Sequence, residues 1–140
     1  MKLNLRRLAL TELRGLYLAG RIDDISIDER LEWREKAKKY LPEFNILDPM
    51  EVNQGDTDKE IFELALNNVR KADIILADIR YAEAENTGTA SELFLAYTLN
   101  KKIIGFSGKK KNNRRRVFMN MMVPEQYETL EEAILAIKLL

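Results

Sequence analysis

Short apolar runs alternate with longer amphipathic segments along most of the chain. The runs contain few polar residues, which is typical of strands that are buried on both faces of a parallel sheet. The predicted strands span residues 15–20, 44–47, 74–79, 103–106 and 126–128. The predicted helices span residues 29–40, 60–71, 88–100 and 129–140. This alternation predicts an α/β fold, in which helices cover both faces of a parallel sheet.

Other segments complete the predicted organisation. The leucines of residues 1–14 follow neither the strand nor the helix period, so this segment is predicted to be an extra N-terminal helix or a disordered lead. Residues 50–59 are polar and are predicted to form a flap loop. Thr129 and Glu132 have the spacing of a capping box at the start of the last helix. Because no linker or internal repeat divides the chain, we expect its 140 residues to form one domain.

The composition restricts the chemistry that this chain can perform. It contains no cysteine and no histidine, which excludes disulfides, thiolate catalysis and metal sites with ligands other than oxygen. Acid–base catalysis is left to Asp, Glu, Tyr or Lys. The 23 basic residues balance the 23 acidic ones, so no overall field attracts nucleic acid. The absence of a signal peptide and of an apolar run of about 18 residues predicts a soluble, cytoplasmic protein without a membrane partner.

The predicted helix at residues 88–100 has an unusual charge pattern. Glu92 is its only charged residue, although 33% of the chain is charged. With Thr89, Glu92 has the spacing of a capping box, in which the carboxylate bonds the backbone N–H of the cap. Alternatively, Glu92 is a catalytic carboxylate at the carboxyl end of the sheet, where open α/β folds bind ligands. In that position the helix N-terminus would keep the carboxylate ionised, as a nucleophile requires.

The residues around Glu92 belong to an ordered set of motifs. The stretch NTGTASE at residues 86–92 follows a strand that ends in Ala-Asp-Ile. Four other pieces occur in order along the chain: Tyr17-Leu18-Ala19-Gly20, Trp33-Arg34, Asp48-Pro49 and Asn120-Met121-Met122. Together, over about residues 15–123, they resemble the nucleoside 2-deoxyribosyltransferase family. The resemblance implies a flavodoxin-like, five-stranded parallel sheet in the order 2-1-3-4-5.

The resemblance also implies a reaction on a small-molecule nucleoside or nucleotide. Glu92 would attack C1′ of the deoxyribose and form a covalent deoxyribosyl-enzyme, by the retaining logic of glycosidases. Tyr17 is either an ordinary strand aromatic or a residue that orients this carboxylate by a hydrogen bond, and the resemblance favours the second interpretation. A second nucleobase would then take the sugar, or water would.

Several loops are implied to contact the substrate. The implied residues are Gly20, Arg21, Asp48, Asn86, Gly88, Asn120 and Met122. The segment that carries Asn120 is implied to reach into a neighbouring subunit's site, so we expect a homo-oligomer of two or more chains. From its sequence, the apolar stretch 117–123 is either an internal packing segment or such a subunit contact. Arg34 is either a surface charge or an anchor for the substrate loop, whereas Trp33 is expected in the core. No cofactor and no metal are implied.

Two positions depart from the family pattern. Ala65 stands where an Asp is common, eight residues before Asp73, although Asn67 and Asn68 lie nearby and are possible partial substitutes. Asn86 stands where many members have Asp. An amide can hydrogen-bond a sugar or a base but cannot exchange a proton near neutral pH. The substrate and the rate therefore stay open.

Other functions remain as alternatives. One is an N-glycosidase that hydrolyses deoxynucleoside 5′-monophosphates, and another is a non-catalytic nucleotide-binding module, which the missing Asp at position 65 favours. The basic segment SGKKKNNRRR at residues 107–116 is a solvated loop, a phosphate grip or a nucleic-acid patch. Nucleic acid is the least favoured partner, because the segment has no interleaved aromatic residues for base stacking.

Overall fold

The computed structural model describes residues 13–81, 86–109 and 116–140 of the chain, and its elements alternate between strand and helix. The strands are β1 (Gly15–Ala19), β2 (Asn45–Leu47), β3 (Ile74–Asp78), β4 (Lys102–Phe106) and β5 (Glu125–Tyr127). The helices are α1 (Ile27–Tyr40), α2 (Pro49–Val52), α3 (Asp58–Lys71), α4 (Thr87–Thr98), α5 (Val117–Met122) and α6 (Leu130–Lys138). None of the described helices is long and apolar enough to span a bilayer.

The five strands form one sheet in the order β2-β1-β3-β4-β5, and every neighbouring pair is parallel. The predicted order and direction of the strands are therefore confirmed. β1 and β3 are neighbours, with Leu18 opposite Leu76 and Ala19 opposite Ala77. Their carboxyl ends thus lie side by side, which brings the loops after both strands to the same edge of the sheet.

Alternating side chains of β1 point into two apolar layers, as the period of a strand requires. Leu16 and Leu18 pack in the layer that contains Trp33 of α1 and Ile134 of α6. Tyr17 and Ala19 belong to the opposite layer, with residues of α3 and α4. Both faces of the sheet are therefore covered by helices, and Trp33 lies in the core as predicted.

Polar side chains cap several helices at their first turns. Thr129 is the N-cap of α6, as predicted, since its Oγ1 accepts from the backbone N–H of Glu132 at 3.2 Å and donates to the Glu132 carboxylate at 2.9 Å. The loop predicted at residues 50–59 is shorter than expected, because residues 50–52 belong to α2 and residues 58–59 belong to α3, which leaves residues 53–57 as the irregular part. Asp48 caps α2 by accepting from the backbone N–H of Met50, and Pro49 at the first helical position favours a helix start.

Gly20, directly after β1, lies where three elements come close together. A Cβ atom at this position would lie 2.6 Å from Trp33 Cζ2 and 3.1 Å from the Asp78 Cβ. The absence of a side chain therefore lets α1 and the end of β3 approach the end of β1.

Gly20→Ala should lower the free energy of unfolding by about 1–3 kcal/mol, because the added methyl group overpacks this contact. Urea unfolding measures the loss. Gly88→Ala is the matched control: a Cβ there meets no described atom within 4 Å. Since Gly88 lies in a helix, alanine should leave the stability unchanged or raise it by up to about 1 kcal/mol. Equal losses in both variants would contradict the packing explanation.

Candidate active site

Glu92 lies in the second turn of α4, not in the first turn as the sequence suggested. The N-cap of α4 is Asn86, and its side chain makes no capping hydrogen bond. Thr89 is buried inside the helix, so the capping box of Thr89 and Glu92 does not form. The capping-box interpretation of Glu92 is therefore wrong, because α4 begins at Thr87, before Thr89, which would have been the cap.

Tyr17 and Glu92 are joined by a hydrogen bond between the sheet and α4. The Tyr17 hydroxyl donates to Glu92 Oε2, which confirms the prediction that the two side chains lie side by side. The contact forms because Tyr17 is on the face of β1 that α4 covers. Tyr17 has no exposed surface, so the position of its hydroxyl is determined by the packing of its ring.

Burial is the main influence on the protonation of this pair. It raises the pKa of Glu92 to about 7, although the hydrogen bond from Tyr17 and the positive charge of Arg34 act in the opposite direction. Burial and then the negative charge of Glu92 raise the pKa of the Tyr17 phenol far above its ordinary value. Tyr17 is therefore protonated through the neutral pH range, and it is the donor of the bond.

Arg34 is completely buried, which excludes the alternative of a surface charge. Its guanidinium donates to the carbonyl oxygen of Gly20 at 3.1 Å and to that of Arg30 at 3.0 Å. Its Nε lies 3.3 Å from Asp48 Oδ1. Arg34 therefore anchors the turn that follows β1, as the other interpretation proposed, and it also places a fixed positive charge near Glu92.

Asp48 is buried, and protein groups already occupy its carboxylate. It contacts Arg34, caps α2, and holds its Oδ2 2.7 Å from Lys38 Nζ. The same ammonium group also pairs with Glu35 and Glu51, so Lys38 lies among the three carboxylates of the described cluster that could otherwise hold a metal ion. This arrangement argues against the predicted contact of Asp48 with substrate and assigns it to the support of Arg34.

Of the other residues predicted to contact substrate, some lie on the surface and some lie in the core. Asn86 and Gly88 lie at the start of α4. Arg21 follows the end of β1 and donates from Nε to the carbonyl oxygen of Asp23 at 2.9 Å. Asn120 is exposed on α5, where its Oδ1 accepts from Gln126 at 3.2 Å. Met122 is buried in the same apolar layer as Tyr17, so its predicted contact with substrate is not supported within one chain.

Two asparagines extend the Tyr17–Glu92 pair: Asn53, which the sequence did not assign to the site, and Asn68, which it named only as a possible partial substitute for the missing Asp at position 65. Asn53, at the end of α2, donates from Nδ2 to the Tyr17 hydroxyl oxygen at 2.9 Å. Asn68, on α3, donates from Nδ2 to Asn53 Oδ1 at 2.8 Å. The one available signal was the polar side chain of Asn68 beside the buried Val69 on an amphipathic helix.

A cavity lies on the other face of the sheet. It has a volume of about 320 Å³ and is lined by Trp33, Lys36 and Glu131, among others, but not by Tyr17 or Glu92. Residues 82–85 and 110–115 lie outside the described residues. Most of the basic segment at 107–116, with its predicted alternatives, falls in the second of them.

Comparisons with known proteins agree with this architecture. A family model for nucleoside 2-deoxyribosyltransferase matches residues 16–129. No curated protein sequence matches the chain.

Three solved structures illustrate the likeness. A conserved protein from Enterococcus faecalis V583 has a TM-score of 0.72 and 14% identity, over 91% of this chain and 98% of that one. A 2-deoxyribosyltransferase from Bacillus psychrosaccharolyticus has a TM-score of 0.69 and 20% identity, over 86% and 90%. A CMP N-glycosidase from Clostridium botulinum has a TM-score of 0.64 and 15% identity, over 90% and 98%. At these identities the likeness establishes the fold alone.

The buried carboxylate should make stability depend on pH. In the folded protein the pKa of Glu92 is about 7, above the ordinary value of 4.5, so the unfolded chain binds fewer protons between these values. Wild-type stability therefore falls as the pH rises through this window. Glu92→Gln lacks this loss and should gain up to about 3 kcal/mol in unfolding free energy above pH 7, relative to wild type, and little near pH 4.5.

Denaturant unfolding at a series of pH values checks this prediction. Glu63→Gln, on the exposed side of α3, is the control and should not show the increase. A stability difference between Glu92→Gln and wild type that does not change with pH would contradict the burial argument.

Proposed function

Because the chain belongs to the nucleoside 2-deoxyribosyltransferase family, we propose that it cleaves the N-glycosidic bond of 2′-deoxyribonucleosides and transfers the deoxyribose to another nucleobase. The observation that carries this proposal is the contact between Tyr17 and Glu92. It provides a partly buried carboxylate, held by a neutral donor, next to the edge of the sheet where open α/β folds bind ligands.

In the proposed reaction Glu92 is the nucleophile. Tyr17 holds Oε2, which leaves Oε1 to form a bond to C1′ of the sugar. The bond between C1′ and the base nitrogen breaks, and its electron pair leaves with the base. The departed base takes up a proton from water. The nitrogen of a second base then attacks C1′, gives its proton to water, and releases the Glu92 carboxylate. Two successive displacements retain the configuration at C1′.

The environment of Glu92 supports its use as a nucleophile near neutral pH. Attack requires the ionised carboxylate. With a pKa of about 7, half of the Glu92 side chains are ionised at that pH, and the remaining protonated fraction does not react. Arg34 favours the ionised form through its positive charge. The rate should therefore rise with pH through the neutral range.

A second candidate is an N-glycosidase of deoxynucleoside 5′-monophosphates, in which water replaces the second base. The fold shared with a CMP N-glycosidase favours it, and so does the basic segment at residues 107–116, whose cations suit a phosphate. The third candidate, a non-catalytic nucleotide-binding module, is favoured by the amide at Asn86 and the methyl group at Ala65, neither of which can give the leaving base a proton.

We further propose that the protein works as a homo-oligomer in which Asn120 completes a neighbouring site. The helix that carries Asn120 exposes large apolar side chains, with 77% of Phe118 and 60% of Met121 accessible. α4, which contacts α5, exposes 55% of Phe94. Exposed apolar side chains on adjoining helices are typical of a surface that another protein covers.

A base-release assay tests the proposed function. Deoxynucleosides and their 5′-monophosphates are incubated with and without free adenine, and the products are separated by chromatography. We expect new deoxynucleosides only when the second base is present, and the acid limb of kcat/KM should lie near pH 7. Glu92→Gln should lose turnover, because an amide accepts the bond from Tyr17 but cannot attack C1′. Base release without an acceptor would identify a hydrolase, and turnover of Glu92→Gln at the wild-type rate would exclude the proposed nucleophile.

The shared site is tested by mixing two inactive variants. Glu92→Gln and Asn120→Ala proteins should regain activity when their subunits exchange, because some hybrid sites combine an intact Glu92 with a partner's intact Asn120. The control mixes Glu92→Gln with Tyr17→Phe, whose defects lie in the same half of the site, and should recover nothing. A protein that sediments as an active monomer would rule out the shared site.

A further inference from the structure

We propose that Asn53 and Asn68 are positioning residues for Glu92, which act on the carboxylate by setting the direction of the Tyr17 hydroxyl. This inference rests on the proposed role of Glu92 as the nucleophile. Neither asparagine contacts Glu92 directly, so both would act on it through the hydroxyl of Tyr17.

The four side chains form one continuous series of hydrogen bonds. Asn68 Nδ2 donates to Asn53 Oδ1 at 2.8 Å, and Asn53 Nδ2 donates to the Tyr17 hydroxyl oxygen at 2.9 Å. The Tyr17 hydroxyl donates to Glu92 Oε2. Asn53 and Asn68 are buried, with 9% and 7% of their surfaces accessible, so water does not readily replace these contacts.

The series has a direction, and the asparagines determine it. An amide carries its donors on nitrogen and its acceptor on oxygen. The donor from Asn68 binds the oxygen of Asn53, which turns the Asn53 nitrogen toward Tyr17. Because the phenol oxygen accepts from Asn53, its single proton is left for Glu92. The carboxylate is then held by one oxygen while the other stays available for attack.

Backbone contacts fix the positions of both asparagines in the folded protein. Asn53 ends α2, where its N–H donates to the carbonyl oxygen of Pro49 at 3.1 Å. Asn68 lies on α3 beside the buried Val69, and its Nδ2 also lies 3.4 Å from the carbonyl oxygen of Val52. Among the described residues, Tyr17 on β1 and Arg34 on α1 are the titratable or charged groups that act on Glu92. The hydrogen-bonded series Asn68–Asn53–Tyr17–Glu92, called the relay below, therefore orients the Tyr17 proton without placing another charge near Glu92.

Asn68→Asp tests the relay at its far end. A carboxylate at position 68 can only accept, so the Asn53 amide should turn over and present its oxygen to Tyr17. The Tyr17 proton would then point at Asn53 instead of Glu92. We expect kcat at pH 7 to fall about 10- to 100-fold, with KM changing much less, since the nucleophile is displaced but the binding surface is intact. The acid limb of the pH profile should move up by about one pH unit, because Glu92 loses a hydrogen bond to its ionised form.

Asn67→Asp is the matched control. It adds the same charge one residue away, on an exposed side chain that contacts Arg70 and not Asn53. It should leave kcat and the pH profile as in wild type. Equal changes in the two variants would attribute the effect to charge on α3 and overturn the relay.

A second measurement does not depend on turnover. Infrared titration of the Glu92 carboxyl without substrate, with its band assigned by difference from Glu92→Gln, should show the same upward shift in Asn68→Asp. An unchanged titration overturns the relay whatever the activity. A shifted titration with an unchanged kcat overturns the positioning role. If Glu92→Gln itself is active, the proposed function fails separately.

Asn68→Ala serves if Asn68→Asp does not fold. It removes the donor without adding charge and should shift the titration in the same direction by a smaller amount. No shift would again overturn the relay.

Discussion

Keeping the carboxylate of Glu92 ionised inside the protein is the constraint on which the rest of the site depends. Burial raises the free energy of the charged form, and the protein compensates with a neutral donor, Tyr17, and a nearby cation, Arg34. The two together do not compensate completely, since the pKa of Glu92 stays above its ordinary value. The carboxylate that results is more basic than a surface glutamate, which suits the proposed role of Glu92 as a nucleophile.

The compensating cation has a cost of its own, because a buried guanidinium also needs partners. Arg34 meets this need with the carbonyl oxygen of Gly20 and with Asp48, and Asp48 is balanced in turn by Lys38. The charges are therefore neutralised in steps from the interior toward the surface. Asp48, for which the resemblance implies a contact with substrate, is enclosed by the protein in this arrangement, and that contact stays a prediction.

The apolar pattern predicted the sheet, through its buried strands and the helices between them. The strand order and the contact of Tyr17 with Glu92 were implied by the resemblance to the family, and both occur in the structure. Element ends were less predictable, because two caps compete locally: Thr89 had the better spacing, yet α4 begins at Thr87. Asn68 was named only as a possible substitute for the missing Asp at position 65, and Asn53 was not recognised, because its partner Tyr17 lies on a strand distant in sequence and a single amide gives no periodic signal.

The position of Asn53 links the site to the periphery of the sheet. Asn53 follows β2, a strand of three residues that pairs with β1 on one side and lies at the edge of the sheet. Short edge segments open more readily than the core does, in local fluctuations that leave the rest of the protein folded. Such an opening would carry Asn53 away from Tyr17 while the central strands stay in register. The proposed orientation of Glu92 would then be lost in a local transition that is smaller than global unfolding. Moderate warming would therefore inactivate the protein reversibly before it unfolds.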